Sequence, residues 1–105
     1  MEEYVCVTVR GEAGEAEAAF KGRLTAFWTH MLRQRPDDYE KVYAEATRFE
    51  DDGGTVTRQY MAQTDGVAPL LTELAAAGLA FDPPDEGDTY NKYEATPPDW
   101  FQLEH

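Results

Sequence analysis

Apolar residues along this chain recur first at every second position, then at helical spacing, then at every second position again. The order of these changes constrains the fold more than composition does. Over residues 3–10, Val5, Val7 and Val9 alternate with Tyr4, Cys6, Thr8 and Arg10, which predicts a strand with a valine face. Over residues 15–35, Ala16, Phe20, Leu24, Phe27 and Met31 fall on one helical stripe, with Trp28 and Leu32 on its shoulder. Glu12, Glu15 and Glu17 crowd the start of that helix and Arg33 and Arg35 its end, as the helix dipole favours, and Pro36 stops it.

Residues 39–50 tolerate a helix, but their alternation reads better as a strand. Val42, Ala44 and Ala46 take one face, Tyr43, Thr47 and Phe49 the other. Asp51-Asp52-Gly53-Gly54 then joins this stretch to the Thr-, Val- and Tyr-rich residues 55–61, a hairpin signal. A second helix is capped by Thr64 or Asp65, carries Pro69 in its first turn, and buries Val67, Leu70, Leu71 and Leu74. Gly78 is its left-handed stop. An acidic, proline-stiffened loop over residues 82–88 leads to a last strand over 89–96, which Pro97-Pro98 ends. The whole reads β-α-β-β-α-β: a ferredoxin-like α+β sandwich, a four-stranded antiparallel sheet with two helices on one face.

A chain of 105 residues supports one domain, placed at residues 1–102; Leu103, Glu104 and His105 resemble an expression-tag remnant. The lone Cys6 forms no internal disulfide, and neither a leader-like N-terminus nor a membrane-length apolar run is present, so a cytoplasmic protein is expected. Arginines outnumber lysines six to three and alanine is abundant, as GC-rich coding or a salty prokaryotic cytoplasm would produce. The formal net charge of −12 repels phosphate backbones and argues against nucleic-acid binding.

The predicted topology has two surface consequences. The first β–α turn, the hairpin and the loop before the last strand share one end, collecting Glu12 and Glu15 with Asp51, Asp52, Asp82, Asp85, Glu86 and Asp88 into an acidic pole. The sheet face away from the helices should expose Tyr4, Cys6, Thr8, Tyr43, Thr47 and Phe49, with Thr57 and Met61. That surface is apolar enough to pack against a second copy, a ligand, or the tail bearing Trp100 and Phe101.

Chemistry-bearing residues are sparse. His30, the one histidine before the tag-like end, lies beside Arg23 at the edge of the helical stripe, the pair a small enzyme would use in a helix–sheet cleft. One histidine with one cysteine makes no zinc site, Gly11 and Gly14 match no nucleotide fingerprint, and the chain has no serine. No metal or cofactor is implied. The residues favour a non-catalytic binding or regulatory domain, a homodimer through the sheet face, offering the acidic pole to a basic protein. Two rivals stand beside it: a dimeric α+β barrel that binds or converts a small molecule at His30, and an acidic inhibitor of a nuclease or nucleic-acid-binding protein.

Overall fold

The computed structural model describes residues 3–44, 49–82 and 89–91. It is a mixed α+β fold built on an open antiparallel sheet. The elements are β1 (Glu3–Ala13), α1 (Glu17–Gln34), α2 (Pro36–Tyr39), β2 (Val42–Ala44), β3 (Glu50–Asp52), β4 (Thr55–Gln63), α3 (Val67–Ala76), β5 (Ala80–Phe81) and β6 (Thr89–Asn91); a 3₁₀ turn, Thr64–Gly66, leads into α3.

Among the described residues, six strand segments stand where four strands were expected. The long β1 and β4 pair down the middle, from Tyr4 opposite Gln63 to Ala13 opposite Thr55, with a bulge between Arg10 and Ala13. The outer edge of β4 carries β2 at one end and β3 at the other; the outer edge of β1 carries β6 and β5 in the same way. The strand predicted over 39–50 is thus in two pieces, and residues 36–39 form a short helix that Pro36 starts. The strand predicted over 89–96 is described only as far as Asn91. A separate pair, Ala80–Phe81, joins the sheet directly after α3.

The interruption between β2 and β3 changes which face Phe49 occupies. Ala44 is opposite Tyr60, whereas Glu50 is opposite Thr57: six steps along one edge against three along β4. The three surplus residues are an odd number, so the alternation inverts. Phe49, expected on the uncovered face, packs against Phe20 of α1 with ring centroids 5.8 Å apart, and the Arg58 guanidinium lies 4.9 Å from its ring centre. Gly53 and Gly54, with φ of 62° and 88°, make the two-residue turn that closes the hairpin between Asp52 and Thr55.

The core lies between the sheet and the helices. Val7, Val9, Val42, Val56, Tyr60 and Ala62 from the strands meet Phe20, Leu24, Phe27, Trp28 and Met31 of α1 and Leu70 and Leu74 of α3. Trp28, a shoulder position by periodicity, is 2% exposed. Its ring packs edge-on against Phe27, Tyr39 and Tyr60, and its indole N–H donates to the Tyr60 hydroxyl at 3.0 Å. That bond satisfies the indole donor inside an apolar core, where an unmatched one would cost about 1–3 kcal/mol. Burial in turn raises the Tyr60 hydroxyl above its ordinary pKa. Gly78 (φ 74°) ends α3, and Leu79 folds back with its N–H bonded to the Leu74 carbonyl at 3.0 Å.

The other sheet face departs from expectation. Tyr4 is fully buried, Met61 is 3% exposed and Thr57 is 4% exposed within a single chain. Tyr4 packs at a tilt against the half-buried Tyr43, ring centroids 6.1 Å apart, and accepts a hydrogen bond from the Gln63 side chain. This is not a bare aromatic surface. Replacing Trp28 with phenylalanine should lower the unfolding free energy by about 2–3 kcal/mol, since it removes core volume and the buried indole–hydroxyl bond to Tyr60. Urea denaturation of the variant beside Tyr60→Phe would measure it; unchanged stability in both would place the indole outside the cooperative core.

Candidate functional site

Two places gather the charged residues: the end of the molecule that holds the β1–α1 turn and the β3–β4 hairpin, and a cleft between α1 and the end of α3. At the first, the Gly14 amide donates to the Gly54 carbonyl at 3.2 Å, so the two loops are joined rather than independent. The bulge places Gly11 against the core, where a β-carbon would lie 2.6 Å from Val56 Cγ1 and 2.8 Å from Glu15 Oε1; only glycine fits. Glu15 then ties the turn together. Its carboxylate accepts from the Glu12 amide at 2.9 Å and from the Arg23 guanidinium at 2.6 and 2.9 Å.

Arg10 projects from β1 onto the face opposite the helices and holds two acidic residues from distant parts of the chain. Its Nε donates to Asp82 Oδ1 at 2.6 Å, and Nη2 donates to Asp82 Oδ2 at 2.9 Å and to Asp52 Oδ2 at 2.7 Å. Two of the predicted pole residues, Asp52 and Asp82, are therefore partly neutralised. Hydrogen bonding to Arg10 holds the Asp82 carboxyl below its ordinary pKa, and Arg23 does the same for Glu15. Glu12, Glu50 and Asp51 stay exposed at this end. Asp85, Glu86 and Asp88 lie outside the described residues, as do Trp100 and Phe101.

The cleft has a volume of about 310 Å³ and is lined by Arg23, Ala26, Phe27 and His30 of α1 and by Ala77 and Leu79 beyond α3. Arg23 and His30, singled out together by sequence, do meet at one concavity, but it lies between helices and opens to solvent instead of reaching the sheet. His30 is half exposed, and its Nε2 is 2.8 Å from Glu73 Oε1. Arg35 reaches the other oxygen of Glu73 at 3.2 Å. The hydrogen bond from His30, and then the charge of Arg35, hold the Glu73 carboxyl below its usual range.

Glu73 was not among the residues the sequence singled out. It sits one position before Leu74 on the shoulder of the buried stripe, and that placement was its only signal. The Glu15–Arg23 pair, eight residues apart, is likewise invisible to the i, i+4 rule because Glu15 precedes α1. Cys6 is half-buried on β1 opposite Met61. Among the described residues no three His, Cys, Asp or Glu side chains converge as metal ligands, every fully buried side-chain polar atom has a partner, and no helix is long and apolar enough to cross a membrane. No family model matches the chain, and no curated protein or solved structure shows detectable similarity to it.

The three depressed carboxyls set the sign of the pH dependence. A carboxyl with a lower pKa folded than unfolded contributes stability that is complete above the unfolded value, near 4, and lost as pH falls through the folded value. The midpoint of thermal unfolding should therefore fall on acidification from about pH 5 towards pH 2. Asp82→Asn and Glu73→Gln should each flatten that slope while lowering the neutral-pH midpoint, and calorimetry across this range would show it. A slope identical to the parent's would mean that these carboxyls are not held in solution.

Proposed function

We propose that this chain is a non-catalytic binding domain that docks its acidic end on a basic protein surface. The carrying observation is the hydrogen bond from Gly14 to Gly54, which joins the β1–α1 turn to the β3–β4 hairpin. With the Arg10 bridge to Asp52, it turns a set of loop carboxylates into a pre-formed surface on which Glu12 and Asp51 are exposed. A pre-formed charged surface raises association rates and loses less entropy on docking than a set of free loops. Arg10 and Arg23 offset part of the negative charge by pairing with Asp52 and Glu15.

The reading is of a single-copy domain. Tyr4 and Met61 are already buried within one chain, which leaves less apolar surface for a sheet-on-sheet pair. A ferredoxin-like sandwich with two broken edge strands is the arrangement this reading assumes. The shared edges of β2 with β3 on β4, and of β5 with β6 on β1, support it. An acidic inhibitor would use the same surface.

Titrating an octa-arginine peptide into the labelled protein tests the proposal. The expected amide shifts concentrate at residues 12–15 and 50–54 and fade as salt rises from about 20 to 150 mM, as exposed charge pairs do. Glu12→Gln with Asp51→Asn should weaken association several-fold. Shifts spread evenly over all acidic residues, or a response indifferent to salt, would reject the acidic end as the docking surface.

A further inference from the structure

We propose that the α1–α3 cleft is a binding site for a small carboxylic acid with an apolar body, of the aryl or short-alkyl class. The cleft offers the two components such a ligand needs. Phe27 and Leu79 make an apolar floor, 3% and 4% exposed, and Ala26 and Ala77 are small enough on either side to leave it open. Arg23 and His30 stand at its two ends, seven residues apart on α1, which is two helical turns or about 10 Å.

Both polar groups are oriented from behind. Glu15 engages Arg23 through Nε–H and one Nη2–H, which leaves about three of its five N–H donors unused by that carboxylate. Glu73, itself held by Arg35, takes Nε2 of His30 and so fixes the ring. A ligand carboxylate would accept from the remaining Arg23 donors while its apolar body covers Phe27 and Leu79. His30 would cap the far end through its other ring nitrogen. Because Glu15 balances the Arg23 guanidinium, recognition depends on directed hydrogen bonds and apolar contact, and the charge of the whole chain gives no assistance.

Heteronuclear NMR titration with benzoate, with benzamide as its neutral counterpart, reads the proposal directly. Benzoate should give saturable shifts at residues 23–30 and 77–79, and benzamide should bind at least fivefold more weakly. Arg23→Met should reduce benzoate affinity about tenfold. Since that change also releases Glu15, Ala26→Trp is the second variant: it lies on an exposed wall, fills the cleft while leaving Arg23, His30 and their carboxylates in the chain, and should abolish the shifts while the spectrum stays folded. Equal response to benzoate and benzamide, shifts away from these residues, or undiminished binding in Ala26→Trp would overturn it.

Discussion

The β1–β4 ladder is the constraint on which the rest depends. Eight residue pairs hold these two strands together, and every other strand segment is attached to one of them. Their shared inner face, Val7 and Val9 beside Ala62, Tyr60 and Val56, is the surface on which α1 and α3 lie. Each large side chain buried there contributes about 1.5–3 kcal/mol of transfer free energy. Short edge segments of two or three residues could not hold a sheet alone; they are kept by the central pair and by the helices above it.

The edges are where charge and irregularity concentrate. The bulge after Arg10 turns β1 towards α1 and brings Gly11 against Val56, while the following turn reaches the hairpin through Gly14. Arg10 crosses the opposite face and links β3 to the residue after β5. Negative charge at this end is thus arranged around two guanidiniums, Arg10 and Arg23, each paired with carboxylates. The shape of that end depends on ion pairs between residues 42 and 72 positions apart in sequence as well as on turn chemistry.

The α1–α3 cleft arises from the same packing. Leu24, Phe27 and Met31 turn their stripe to the sheet, so the neighbouring row of Arg23, Ala26 and His30 faces the gap beside α3. The Gly78 turn then folds Leu79 under that gap instead of closing it. The polar residues of the cleft are braced by carboxylates on different elements, Glu15 before α1 and Glu73 on α3, so its geometry belongs to the assembled core.

Much of the local structure was legible in the residues themselves. The valine alternation of β1, the stripe of α1, the Gly53-Gly54 turn and the Gly78 stop all follow from side-chain period or from backbone angles only glycine adopts easily. Periodicity failed at Phe49, where three surplus residues inverted the alternation. It placed Tyr4 on the face away from the valines, as the register has it, but did not say that the folded chain buries it there. Strand register and long-range ion pairs are set by which surfaces finally meet, and no window of neighbouring residues contains that information. Sequence alone determined the order and kind of the main elements and the sign of the charge. Tertiary structure decided which carboxylates are neutralised, where His30 and Arg23 face, and which aromatic rings are covered, because each of these requires contact between segments tens of residues apart.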